Sequence, residues 1–276
     1  MVEKKREKKE GEVTVSKLYC IPTLKEIKEF AGFSERFNAG FEYNEFFLPH
    51  ILEDETETGR IMKQYMGLER DRSKDTLHGV FLDICVNSTD PLIFKASDHR
   101  VRQSMDIARK MGLKAVVFHT NYIVNFRLQS YLDTWLDRNE EYWTRILEDY
   151  PEQEIYMENM FDESPAMLLE LSKRMEDKER FGICLDIAHG LISGAPLEQW
   201  LVALKPQRIS HLHINDNDGV TDLHQPVGTG KMPWQLFTDW CRDLERDPSI
   251  LIEVRGYRDL AESVKNMEEQ GIYPFV

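Results

Sequence analysis

Beyond residue 16, short apolar runs alternate with amphipathic segments eight times, and this alternation limits the fold more than any other property of the chain. Strand-like runs cover residues 18–22, 40–47, 76–84, 115–120, 154–160, 181–187, 209–214 and 250–254. Segments with helical period cover 24–37, 54–68, 98–111, 128–150, 165–175 (with Ser164 as N-cap), 196–204, 233–244 and 259–270. Alternating units imply parallel strands. Eight of them in about 260 residues predict an α/β fold with a single closed (β/α)8 TIM barrel rather than a doubly wound sheet. No break in composition marks a second domain, and no strand leads into a glycine-rich phosphate loop.

The barrel is placed at 17–276. Residues 1–16, which begin MVEKKREKKEGEV, read as a charged, flexible lead-in without the apolar core of a secretory signal. The longest apolar runs fall short of the roughly 18 residues of a membrane helix. A formal net charge of −14 weighs against a general nucleic-acid binder, which needs a basic surface. Cys20, Cys85, Cys184 and Cys241 show no paired spacing, so free thiols in a reduced, cytoplasmic setting are expected.

Function in such a barrel sits at the C-terminal ends of the strands. Strands three to eight all offer an imidazole or carboxylate there. They are His78 in LHGVFLDI, His119 in VVFHTNY, Glu158 in IYMENM, Asp186 and His189 in ICLDIAHG, His213 in HLHIND, and Glu253 in ILIEVRG. The loop after strand seven adds Asp222 and His224. Of the eight histidines only His50 and His99 lie well away from these places. Imidazole with carboxylate is the ligand set of zinc, manganese and iron. Each residue has a plainer role open to it. Glu253 can pair with Arg255, and His189 can cap the segment that follows it. Two inward carboxylates near one another nevertheless repel unless a cation lies between them. His211, two residues before His213 on the same face, lies deeper and reads as packing behind the ligands. The closing Gly228-Thr229-Gly230 allows the backbone to bend or to approach a ligand.

On the motifs LHGVFLDI, VVFHTNY, IYMENM, GICLDIAHG, HLHINDNDGVTDLHQPVGTG and ILIEVRG, the chain resembles the xylose-isomerase-like TIM barrels, the superfamily of sugar isomerases and epimerases and of endonuclease IV. The resemblance runs from the first strand to the last helix. Sugar isomerases of this kind hold one divalent ion with Glu, Asp, His and Glu, which here are matched by Glu158, Asp186, His213 and Glu253. Endonuclease IV holds three zinc ions, and its further ligands are matched by His78, His119, His189, Asp222 and His224. The resemblance therefore implies a cofactor of one to three divalent ions (Zn, Mn, Mg or Co). The chain departs from the nuclease pattern at Ile187, Asp218 and Leu223; at the last two, that pattern carries Lys and Arg.

Two reactions follow as expectations. A sugar (phosphate) isomerase or epimerase would use Glu158 and Glu253 as the proton-transfer pair at carbon. His189, Phe126, Trp234 and Lys231 would bind the substrate. A zinc phosphodiester hydrolase acting on DNA would need a basic rim, for which Arg127, Arg138 and Lys231 are available beside Asp133, Asp137, Glu140 and Glu141. A non-catalytic metal- or sugar-binding barrel is a third reading. Net charge and the missing Lys and Arg favour a small carbohydrate over nucleic acid. They do not name the sugar, its phosphorylation or the oligomer.

Overall fold

The computed structural model describes residues 17–276, so the charged lead-in expected at 1–16 lies outside the described residues. Eight parallel strands close a barrel in sequence order: β1 (Leu18–Cys20), β2 (Gly40–Tyr43), β3 (Thr76–His78), β4 (Ala115–His119), β5 (Glu154–Glu158), β6 (Phe181–Asp186), β7 (Ile209–Ile214) and β8 (Ser249–Ile252). Closure comes from β1 pairing with β8, in the register Tyr19 to Leu251 and Cys20 to Ile252. Alternate residues point into the barrel and out to the helices. On β4, Val116 and Phe118 face outward, where Phe118 packs on Trp143 of the helix Gln129–Asp149 with centroids 5.0 Å apart. Burying a side chain such as Phe118 contributes roughly 1.5–3 kcal/mol, and this repeats around the ring through Trp135, Trp200, Leu185 and Ile214. Inside the barrel a second, smaller apolar cluster of Ala115, Val117, Tyr156 and Cys184 plugs the lower half.

Several boundaries differ from the sequence reading, each for a local reason. The strand expected over 76–84 ends at His78, because Gly79 N–H makes the last barrel bond to Val117 O at 2.9 Å and the chain then turns outward. The strand expected over 40–47 stops at Tyr43 and becomes a single 3-10 turn, Glu45–Phe47. The helix expected from 98 begins at Pro91, where proline stands at the first position and the Asp90 carboxylate accepts from Leu92 N–H at 2.8 Å. Ser164 does not cap the next helix, Ala166–Arg174; Pro165 occupies the cap position and no side chain bonds there. A short helix, Ile187–Ile192, follows β6 directly and has no counterpart in the sequence reading. No described helix is long and apolar enough to cross a membrane.

Candidate metal centre

The inward-facing residues at the upper ends of β3 to β8 meet at one place. Glu158, at the end of β5, is 1% exposed and forms its hub. Its Oε2 lies 3.2 Å from His119 Nε2, 3.4 Å from His213 Nδ1 and 3.8 Å from His78 Nε2. Its Oε1 lies 3.5 Å from His189 Nδ1. On the far side of His213, Glu253 Oε2 stands 3.3 Å from the same Nδ1. Asp186, fully buried, completes the group with His213 and Glu253. Asp222 Oδ2 reaches His224 Nε2 at 3.0 Å and His189 Nε2 at 3.4 Å on the outer side. All nine residues singled out in the sequence as ligands are thus brought to one end of the barrel.

The donor atoms meet a chemical test for a cation. Glu158 Oε2, Asp186 Oδ2, His213 Nδ1 and Glu253 Oε2 are buried and have no hydrogen-bond partner. Leaving one such atom unpaired costs about 1–3 kcal/mol, more if charged. Ligands about 2.0–2.2 Å from one tetrahedral ion lie roughly 3.3–3.6 Å apart, which is the spacing of His213 Nδ1 from Glu158 and Glu253. Among the described residues, the ion-pair partners of these carboxylates are all imidazoles. Arg255, a candidate partner for Glu253 in the sequence, is exposed instead. The residues therefore fit a divalent ion.

Neighbouring groups fix which nitrogen each imidazole presents. His78 Nδ1 lies 2.9 Å from Gly79 O, His189 Nδ1 2.8 Å from Asn159 O, and His224 Nδ1 3.1 Å from Glu253 O. Each carbonyl takes an N–H and leaves Nε2 as the donor. His224 holds this pose in the left-handed region, at φ 51°. Asp186 is held by its backbone, for Asn159 Oδ1 accepts from its N–H and Asn159 Nδ2 donates to its carbonyl, both at 2.9 Å. Its Oδ1 caps the Ile187–Ile192 helix through His189 N–H at 2.7 Å, so only Oδ2 is left over. His189 therefore receives a cap rather than supplying one.

The charges are mutually adjusted. Burial pushes Glu158 upward, but His213 and His119 outweigh it and hold the carboxyl well below the usual range. Burial dominates at Asp186 and, with Glu253 and Glu158 nearby, raises it to about 7. Burial pulls His213 and His189 down, yet their surroundings carry both well above 6.5: Cys184, Glu158, Glu42 and Glu253 at His213, and Asp186, Asp222 and Glu158 at His189. His119 is lowered, chiefly by burial.

The loop after β7 is organised by Asp216, which the sequence suggests only as a turn residue. Its carboxylate accepts from Asn217, Gly228 and Met232 N–H groups and from Trp234 Nε1 at 2.8 Å. Trp234, expected over the substrate, is 9% exposed and pinned to this carboxylate. The glycine at 230 serves the same knot: a Cβ there would sit 2.4 Å from Asn217 O and Asp216 Oδ1, so the close approach is to protein. Lys231 is exposed beside Gly219, and Phe126 is half exposed above β4, packed on Tyr131. Arg127, largely exposed, is paired with Glu163 at 2.9 Å, and Arg138 donates to Ser88 O at 2.8 Å.

Two residues of the centre escape the sequence reading. Asn159 directly follows Glu158 and looks there like a neutral neighbour. Glu42, on β2, is fully buried, with Oε1 at 3.2 Å from His213 Nε2 and Oε2 at 3.4 Å from His211 Nε2. The strand expected over 40–47 carries two acids, Glu42 and Glu45, and neither stands out as a ligand in sequence. The available signal is a single acid in the aromatic run GFEY.

The chain is similar to several known proteins over most of its length. An uncharacterized protein of Methanocaldococcus jannaschii, MJ1311, is 28% identical over 206 residues, covering 70% of this chain and 68% of that one. The structure of a D-tagatose 3-epimerase-like protein superposes with a TM-score of 0.71 at 24% identity, covering 92% of this chain and 96% of the other. The TTHB071 protein from Thermus thermophilus, soaked with ZnCl2, gives a TM-score of 0.69 at 21% identity over 92% and 98%. At these identities the two solved structures establish the shared barrel alone. The family model described as xylose isomerase-like TIM barrel matches residues 36–270. By that match, which spans most of the chain, this protein belongs to the xylose isomerase-like TIM-barrel family.

Proposed function

We propose that this protein is a divalent-metal-dependent sugar or sugar-phosphate isomerase or epimerase that moves a proton at carbon. The observation that carries the reading is the set of four buried, unpartnered donor atoms on Glu158, Asp186, His213 and Glu253. A divalent ion bound there supplies a Lewis acid for two neighbouring substrate oxygens. Glu158 and Glu253 approach His213 Nδ1 at 3.4 and 3.3 Å, and their free oxygens are the bases available to take a carbon-bound proton and return it. In this reading His189 Nε2, 3.4 Å from Asp222 Oδ2, would hold a substrate oxygen.

The adjoining cavity supports a small substrate. It measures about 780 Å³ and is walled by His189 and Asp222 on one side and by Val124, Phe161, Ile192 and Val220 on others. That volume suits a small-molecule site, and none of its lining residues is Lys or Arg. The D-tagatose 3-epimerase-like protein has the same barrel, and the sugar-epimerase reading agrees with that likeness. Binding by zinc is in keeping with the zinc-soaked relative of similar fold.

One set of contacts favours a second reading. His78 and His119 crowd Glu158 from one side, while His189, Asp222 and His224 meet on another. These are donors for further ions, and a zinc phosphodiesterase would use them. The deciding experiment compares two assays on the wild-type protein. One follows exchange of carbon-bound hydrogen with deuterated water across a panel of sugars; the other follows cleavage of an abasic-site duplex. Exchange without cleavage is expected. Salt-sensitive cleavage without exchange replaces the isomerase with the nuclease.

A further inference from the structure

We propose that Glu42 is a positioning residue for the metal centre, acting through His213. The inference rests on the metal-centre reading above and concerns the floor beneath it. His213 is fully buried and has two ring nitrogens with opposite surroundings. Nδ1 faces Glu158 and Glu253. Nε2 faces downward to Glu42 Oε1 at 3.2 Å, an ion-pair contact lying off the axis of a regular hydrogen bond. His78, His189 and His224 have their tautomers fixed by backbone carbonyls. At His213 the corresponding group is a carboxylate, so the charge that orients the ring also strengthens Nδ1 as a donor.

The surroundings of Glu42 leave it little other freedom. Thr76, its register partner on β3, donates Oγ1–H to Oε2 at 2.7 Å. His211 Nε2 lies 3.4 Å from that same oxygen. His211 is itself wedged between Tyr19 and Tyr156, at centroid distances of 5.2 and 6.0 Å, and its Nδ1 meets Ser249 Oγ at 2.6 Å. Residues of β1, β3, β5, β7 and β8 thus hold one carboxylate of β2 under one imidazole. With the Glu42 carboxylate beneath Nε2, the neutral ring that holds an ion is favoured with its proton on Nε2 and its lone pair on Nδ1, toward Glu158 and Glu253. Glutamine at position 42 keeps the shape but removes the negative charge beneath Nε2.

The test is a titration of the metal-free full-length chain with zinc against a competing chelator, comparing wild type with Glu42→Gln. We expect the variant to keep its circular dichroism and to bind zinc roughly 10- to 100-fold more weakly. Its cobalt(II) complex should show an altered visible spectrum, which a merely structural role would leave unchanged. Failure of wild type to bind zinc overturns the metal-centre reading and this inference with it. Equal affinity in both proteins overturns the inference alone. Loss of one whole zinc equivalent at unchanged affinity for the rest also overturns it, making the floor an ion site of its own. If Glu42→Gln does not fold, nitrogen-15 NMR of the zinc-loaded wild type decides instead. A slowly exchanging proton on His213 Nε2 supports the relay, and an unprotonated Nε2 refutes it.

Discussion

β5 carries a glutamate at each end, and the two have opposite fates. Glu154, at the start, is 30% exposed in its side chain; it accepts from Tyr156 OH at 2.9 Å and lies 3.7 Å from Lys114 Nζ. Glu158, at the end, is buried among four imidazoles. Both face the barrel interior, four residues apart on one strand, so neither residue type nor inward direction distinguishes them. What differs is the supply of partners. Partial exposure, a tyrosine and a lysine serve Glu154. Around Glu158 the donors are the imidazoles of other strand ends, which are themselves shared with Asp186, Asp222 and Glu253. The lower end stabilises the barrel, while the upper end retains unsatisfied donor atoms that a cation can unite.

Breaking the upper end should have the largest effect. Glu158→Gln removes a proposed base and a donor common to three clusters. Steady-state turnover on the substrate identified by hydrogen exchange should fall by about 10²- to 10⁴-fold, with the fold retained by circular dichroism. Activity within a few-fold of wild type would remove Glu158 from the chemistry.

Acidity provides the next test. Burial lowers His224, but Glu253, Asp222 and Asp186 together raise it from 6.5 to about 9, and His213 and His189 shift the same way. Stability from these protonated rings in the metal-free chain is full below 6.5 and is lost as pH rises through about 9. Zinc must displace the same protons, so its affinity should climb across that window. Melting curves with and without zinc at several pH values should therefore diverge as pH rises. A gap that closes with rising pH contradicts the assignment of these rings as ligands.

Removing the ion with a chelator sharpens the comparison further. A ligand held at a hundredfold excess over its Kd stabilises by about 2.7 kcal/mol, or roughly 5–10 °C in Tm for a chain of this size. Scanning calorimetry before and after chelation should show that loss, with recovery on adding zinc. No shift would mean that the upper end folds around its own charges without a cation.

Trp234→Phe probes the loop that closes the centre. It deletes the bond to the buried Asp216 carboxylate and should cost about 1.5–3 kcal/mol in denaturant unfolding. A raised KM with unchanged stability would restore Trp234 to the substrate. The smallest effect belongs to the lower end. Glu154→Gln removes a partly exposed pair with Lys114 and should change stability by only about 0.2–1 kcal/mol, with zinc affinity and turnover unaltered. A change in zinc binding would show that the two ends of β5 are coupled.

Periodicity and strand-end chemistry, both local properties, determined much of this protein in advance. Eight alternations specified the closed barrel, and the barrel in turn marked His78, His119, Glu158, Asp186, His213 and Glu253 as neighbours despite their distance along the chain. That inference works because a strand end in a barrel is a spatial coordinate as well as a position in sequence. Where partners come from elsewhere in the chain, the sequence is silent or misleading. Trp234 reads as a stacking surface, but its indole N–H finds Asp216. Gly230 reads as room for a ligand, but the space belongs to Asp216 and Asn217. Glu253 reads as a ligand with a pairing to Arg255 also open to it, and only the structure shows the arginine exposed. Glu42 draws no notice, since an acid in an aromatic strand signals nothing until β7 brings His211 and His213 over it. Sequence spacing supplies direction along one element; only tertiary packing decides which donor meets which acceptor, because that depends on distances between elements that no single segment contains.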